Sequence, residues 1–294
     1  MADYRTVFDV PYVGAPHRRR RLDLYLPPHA SPKSPLLVFI HGGAWRWEAK
    51  SDFVDTLAPR LVRETNLPVA FLEYRLTPQV VHPTHILDVI DGLKTLTGPL
   101  LDCENGEAKW DRSRLIVAGH SAGAWMAATL VLKPPAGHTS YTVPTPIRHA
   151  IERIIPVVGI YDLTSTLDEY PSYGEEFIHE AFGTDSEVYK LESPAQWDSF
   201  DDAAARRLRI LVIQSMEDEL VSPRQARVFL RRLKQLHGAG AQDGAAADEP
   251  VGEEEKGDLP PNVEADFHSV GSTHMGMLKL DALPQRIGEY LKDL

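Results

Sequence analysis

Four short stretches of this chain hold residue types that nucleophilic catalysis needs. Gly119-His120-Ser121-Ala122-Gly123 fits G-x-S-x-G. It follows the apolar run Leu115–Ala118 and precedes an Ala-, Leu- and Met-rich segment, Ala122–Leu132. Strand, sharp turn and helix is the setting that makes this pattern a nucleophile elbow, with the central Ser in a strained conformation and small residues where strand and helix pass close together. The bland reading is a Gly-rich loop with a solvated Ser. A Ser hydroxyl is a poor nucleophile until a base takes its proton, so a His has to meet Ser121 and an acid has to orient that His.

His41-Gly42-Gly43-Ala44-Trp45 stands directly after the buried-strand pattern Leu36–Ile40. Its two glycines allow backbone N–H groups to turn towards a developing oxyanion, joined by the N–H of Ala122, the residue after the nucleophile. The order in this architecture is Ser, acid, His, which directs attention to Gln214–Val221 for the acid. Asp218 is the chosen residue, with Glu217 and Glu219 as competitors. Among the twelve histidines, only His268 and His274 follow Asp218 near a strand end. His268 falls inside the strand pattern Val263–Val270, whereas His274 lies in the following loop, where a base belongs. His237 closes a helix, His120 occupies a variable elbow position, and His41 is expected to hydrogen-bond its own loop. His82 and His85 lie beside a Pro and do not form a metal-binding pattern. With no HExxH, P-loop or dinucleotide fingerprint, the sequence predicts neither metal nor cofactor.

These residues need elements that bring them to one edge of a sheet. Leu22–Leu26 alternates as an edge strand does. Leu36–Ile40, Pro68–Tyr74, Leu115–Ala118, Ile151–Ile160, Leu208–Ile213 and Val263–Val270 read as strands. Asp52–Glu64, His85–Leu96, Ala122–Leu132, Pro223–His237 and Pro284–Leu294 read as helices. The alternation predicts an α/β fold with a doubly wound, mostly parallel sheet, and ligands then bind beyond the carboxyl ends of its strands. The chain reads as one domain over residues 1–294, with excursions at 134–146 and 161–200. The aromatic-rich second excursion reads as short helices forming a small cap. Gly238–Pro261, rich in Ala, Gly, Asp and Glu without an aromatic residue, reads as a mobile acidic surface insertion.

Composition narrows the partners. At 294 residues the chain can bury a full core. Its net charge of −11 argues against nucleic acid, and the basic run Arg18–Arg21 has no interleaved aromatics to change that. The single cysteine, Cys103, precludes an internal disulfide and suits a reducing compartment. Met1–Val10 contains Asp3 and Arg5 and no apolar segment, so no signal peptide is expected. Apolar runs such as Leu36–Ile40 are too short to cross a bilayer. The expected protein is soluble and cytoplasmic, with a small-molecule substrate; a homodimer is compatible with the sequence.

On these four elements the chain resembles the α/β-hydrolase superfamily, and within it the kynurenine formamidase (arylformamidase) branch with the HGGxW motif. Ala44 stands where HGGG lipases have a third Gly. Tyr74-Arg75-Leu76-Thr77-Pro78, Gly159-Ile160-Tyr161-Asp162-Leu163, Tyr170-Pro171-Ser172-Tyr173 with Phe177–Gly183, and Asp218-Glu219-Leu220 are similar to that branch. The acidic insertion between Asp218 and His274 is a departure from that branch. The resemblance implies an α/β-hydrolase fold and hydrolysis of N-formyl-L-kynurenine to L-kynurenine and formate, in tryptophan breakdown towards NAD. It also implies oxyanion donors at Gly43, Ala44 and Ala122. On that reading Trp45, Tyr161 and Tyr173 are the expected contacts of the substrate ring, and Trp125 is core. The alternatives are a broad carboxylesterase of the hormone-sensitive-lipase type, which shares elbow and oxyanion loop, and a non-catalytic binder on a hydrolase scaffold, which the presence of all three triad residues disfavours.

Overall fold

In a computed structural model, which describes residues 4–12, 14, 17–99, 109–197, 199–200, 208–237 and 259–294, the short apolar runs assemble around one central sheet. Its strands are β1 (Arg5–Pro11), β2 (Arg21–Leu26), β3 (Leu36–Ile40), β4 (Val69–Leu72), β5 (Leu115–His120), β6 (Ile151–Val157), β7 (Arg209–Ile213) and β8 (Val263–Asp266). They lie in the order β1-β2-β4-β3-β5-β6-β7-β8. From β4 to β8 every pairing is parallel, and β2 and β1 add antiparallel to that edge. Cys103 and residues 238–258 of the expected acidic insertion lie outside the described residues.

Both faces of the sheet are covered, which is why β3 and β5 read as unbroken apolar runs. Helices α1 (Leu57–Thr65) and α5 (Ala282–Tyr290) cover one face, against Leu37, Phe39, Phe71, Ile116 and Ile155. Helices α2 (Thr84–Thr97), α3 (Ala122–Val131) and α4 (Pro223–Leu236) cover the other, against Val38, Ile40, Val117 and Ile210. Between β6 and β7 the chain runs through short helical pieces at Leu163–Glu169, Gly174–Ile178, His179–Phe182, Ser186–Leu191 and Pro194–Gln196.

Three elements depart from the sequence reading. The edge belongs to β1, not to Leu22–Leu26: β2 is the second strand and is buried along its length. Asp23, the polar position that suggests solvent, is buried and accepts a hydrogen bond from Lys50 Nζ at 2.7 Å. Lys50 itself belongs to a 3-10 turn, Lys50–Phe53, that stands apart from α1 where one continuous helix is expected. The last strand stops at Asp266 because the Asp266 carboxylate accepts the N–H groups of His268 and Ser269 at 3.0 and 2.9 Å and turns the chain out of the sheet. His268 is therefore an exposed turn residue and no strand residue.

Candidate active site

The carboxyl ends of β3, β5, β7 and β8 meet at one place. Ser121 follows β5 with φ +54° and ψ −117°, a left-handed backbone for a residue with a Cβ. Its strain is held by its neighbours: its N–H donates to Val157 O at 2.9 Å, and its carbonyl accepts the N–H of Ala124 and Trp125. The crossing is so close that a Cβ on Gly119 would lie 2.1 Å from Gly123 O, and one on Gly123 2.1 Å from Ile40 O. Only glycine fits at either position, which is the physical content of the motif. No hydrogen bond joins the Ser121 hydroxyl to a described residue, a loose geometry common for nucleophile and base without substrate.

After β3 the chain makes three successive left-handed steps, with φ +79° at Gly43, +48° at Ala44 and +58° at Trp45. Gly43 O accepts the N–H groups of Arg46 and Trp47 at 2.8 and 2.7 Å, and Tyr74 holds the outer side by donating its hydroxyl to Gly42 O at 2.6 Å. His41 stacks on the Tyr74 ring at 4.2 Å and contacts Gly42 O through Nδ1. Gly42 N–H donates to Glu48 Oε2 at 3.1 Å. Among the described residues no acceptor takes the N–H groups of Gly43, Ala44 or Ala122. Those three amides remain available to a ligand.

Asp218 and His274 come from the loops after β7 and β8. His274 Nδ1 donates to Asp218 Oδ2 at 2.7 Å, and Asp218 Oδ1 accepts the N–H groups of Leu220 and Val221 at 2.9 and 2.8 Å. With Nδ1 protonated, the imidazole keeps a lone pair on Nε2 for a proton from elsewhere. Glu219, one of the competing acids, instead accepts the backbone N–H of His274 at 2.8 Å, and this contact holds its carboxyl below the usual range. Ser215 ties the two loops together: its hydroxyl donates to Ser272 O at 2.6 Å and accepts Ser272 N–H at 3.0 Å.

His120 has a support role that the motif alone conceals. Its Nε2 donates to His274 O at 3.0 Å, so the elbow strand directly braces the loop of His274. Burial, with the His274 imidazole nearby, holds His120 well below its ordinary value and keeps it a neutral donor. The only sequence signal was its place beside Ser121.

A cavity of about 210 Å³ opens between these loops, with Ser121, His274, Gly43 and Ala44 in its lining. Tyr173 lines it and donates its hydroxyl to Leu220 O at 2.9 Å, linking the 161–200 excursion to the loop of Asp218. Trp45 and Tyr161 do not. Trp45 is 0% exposed because the left-handed run turns its indole inward, edge-on to Trp125 and Phe182. Tyr161 is likewise buried, stacked on Phe229 of α4 at 4.4 Å. Beside Tyr173, the aromatic rings at the cavity are Trp47, which is 51% exposed, and Phe177, edge-on to each other at 6.4 Å. Trp47 lies two residues beyond the motif, and the turn that separates it from Trp45 has no signature in composition. Trp125 is core, donating its indole N–H to Glu192 O at 2.7 Å.

A family model described as BD-FAE matches residues 22–233. The chain belongs to the BD-FAE family. The match runs from β2 into α4 and takes in the HGGxW loop, the G-x-S-x-G turn and the loop of Asp218; His274 lies beyond it. This BD-FAE chain is 27% identical over 243 residues to the kynurenine formamidase of Debaryomyces hansenii, spanning 68% of the chain and 79% of that protein. It is 31% identical over 198 residues to the kynurenine formamidase of Eremothecium gossypii, spanning 64% and 75%. A truncated form of carbohydrate esterase from gut microbiota superposes with a TM-score of 0.72 at 15% identity, over 99% of this chain and 97% of that one. That likeness is one of fold, and the BD-FAE chain has the α/β-hydrolase fold. Among the described residues no helix is long and apolar enough to cross a membrane, and no group of three metal-ligating side chains is placed to hold an ion.

Proposed function

We propose that this chain is a kynurenine formamidase, hydrolysing N-formyl-L-kynurenine to L-kynurenine and formate, with Ser121, His274 and Asp218 as its catalytic triad. The observation that carries the reading is the Asp218–His274 pair at 2.7 Å, facing Ser121 in a cavity walled by Trp47, Tyr173 and Phe177. The resemblance to the formamidases of D. hansenii and E. gossypii supports the choice of substrate.

His274 Nε2 takes the Ser121 proton as Oγ attacks the formyl carbon. The oxyanion that forms is received by the free N–H groups of Gly43, Ala44 and Ala122. His274 then gives its proton to the departing arylamine nitrogen, leaving formyl-Ser121. Water, deprotonated by the same imidazole, releases formate. Asp218 keeps the imidazole in the right tautomer and stabilises its cation. The formyl group is the smallest acyl, so the narrow space beside the HGGxW loop suffices for it, and the aromatic wall is suited to the kynurenine ring. All of these groups come from one chain. The reaction belongs to tryptophan breakdown towards NAD, and one cysteine in the whole chain is consistent with a cytoplasmic enzyme.

The test is the purified chain with N-formyl-L-kynurenine, following kynurenine release, beside a short p-nitrophenyl ester. Efficient kynurenine release, abolished in Ser121→Ala, is the expected result. Ester turnover far above that of N-formylkynurenine would assign the chain to the carboxylesterases instead.

A further inference from the structure

Glu48 has a backbone conformation and a surplus oxygen that holding the oxyanion loop does not require. Its φ is +67°, a left-handed value that glycine would take without strain. That conformation folds the side chain back to the loop, where Oε2 accepts Gly42 N–H at 3.1 Å. Among the described residues no donor reaches Oε1. Glu48 lines the same cavity as Ser121 and His274, with one oxygen anchored on Gly42 N–H and no described donor on the other. Burial works against this carboxylate and pushes it above its ordinary range, with the nearby His41 and His274 opposing that shift.

The surroundings define what the free oxygen could receive. Trp47, Phe177, Leu220 and Met275 present apolar surface, and the remaining charged lining residue is Glu176 at the exposed rim. No described Lys or Arg lines the cavity. Arg46, adjacent in sequence, is paired with Glu180 and donates to Glu176 O. A cationic group entering with the substrate therefore meets a pre-positioned acceptor, whereas an anionic group meets no described cation. A charge-assisted bond in a partly desolvated cavity is stronger than the same pair on the surface.

We propose that Glu48 is a specificity determinant of this site: its free oxygen accepts the α-ammonium of the substrate's zwitterionic amino-acid head, so the enzyme selects formamides of aromatic amines whose side chain carries an ammonium group. This rests on the formamidase reading above.

The test uses two ortho-formamidophenyl ketones of nearly equal size, one with an aminoethyl group on the carbonyl and one with a plain alkyl group. For each, kcat/KM is measured with the wild type and with Glu48→Gln, which keeps an acceptor for Gly42 N–H but has no charge. The wild type is expected to prefer the ammonium-bearing ketone, and Glu48→Gln to lower that preference about tenfold. Because it is a ratio, any damage to the oxyanion loop cancels. An unchanged ratio overturns the proposal, whether or not both rates fall. Should Glu48→Gln not fold, inhibition of the wild type by an arylalkyl ammonium and its neutral isostere makes the same comparison, and equal inhibition overturns it. Should the wild type hydrolyse neither formamide, the formamidase reading fails. The preference for protonated 2-(dimethylamino)ethyl acetate over its carbon isostere 3-methylbutyl acetate, compared between wild type and Glu48→Gln, then tests Glu48 independently, and an unchanged preference overturns the proposal.

Discussion

Replacing Asp218 by Asn tests the arrangement at its most demanding point, because the two carboxylate oxygens do separate work. Oδ1 accepts the N–H groups of Leu220 and Val221, and Oδ2 accepts the His274 Nδ1 proton at 2.7 Å. Asn keeps the first contact with its carbonyl and offers an N–H₂ donor to the second. His274 then turns its Nδ1 lone pair to that donor and carries its proton on Nε2, where it cannot accept one from Ser121. Loss of this tautomer in a serine triad lowers kcat about 10⁴-fold, equivalent to about 5.4 kcal/mol of barrier. Stability should hardly change, since the loop contact survives. Asp218→Ala should be as inactive and also less stable by about 1–3 kcal/mol, because two amides lose their acceptor. The assays are kynurenine release at saturating substrate and thermal unfolding. Glu219→Gln is the control: its carboxylate accepts the backbone N–H of His274 and, among the described residues, makes no hydrogen bond with the His274 ring, so less than a tenfold loss is expected. Were Asp218→Asn to retain a tenth of kcat while Glu219→Gln lost activity, the assignment of the acid would be wrong.

Three further outcomes follow from particular contacts. Tyr74→Phe removes the hydroxyl that holds Gly42 O and should lower kcat three- to tenfold with KM little changed; wild-type kinetics would show that His41 holds the loop unaided. Trp45→Ala should destabilise the protein by about 3–5 kcal/mol, as truncating a buried indole does, whereas Trp47→Ala should raise KM for N-formylkynurenine and leave the melting temperature within a few degrees. The reverse pattern would return Trp45 to the substrate. His85 is pulled down to about 3 by burial, aided by nearby His82 and Arg75. It stays neutral in the folded state while the unfolded chain gains its proton near pH 6.5. Its contribution is thus complete above about pH 6.5 and is lost as pH falls towards 3, at up to about 1.4 kcal/mol per pH unit. Urea midpoints at pH 7.5 and 5 should converge in His85→Gln relative to the wild type, and an identical pH slope would refute this assignment.

The legible part of the chain was the part in which chemistry demands a residue type at a chain position. Gly119 and Gly123 flank Ser121 because no Cβ fits there, and parallel strands covered on both faces have to be unbroken apolar runs. The strand that takes the edge was hidden because Arg5–Pro11 is half exposed and carries no strong alternation. The end of the last strand was hidden because a single side chain, Asp266, supplies the turn.

By itself, then, the sequence determined the alternating α/β layout and the chain order in which Ser121, Asp218 and His274 follow their strands, since both are properties of residues along a line. The tertiary structure decided which side chains face the cavity. Three left-handed residues bury Trp45 and leave Trp47 at the mouth, while a fourth, Glu48, brings a carboxylate to the N–H of Gly42. Backbone torsion sets these directions, and residue type marks it in the sequence mainly at proline, which fixes φ, and at glycine, which frees it.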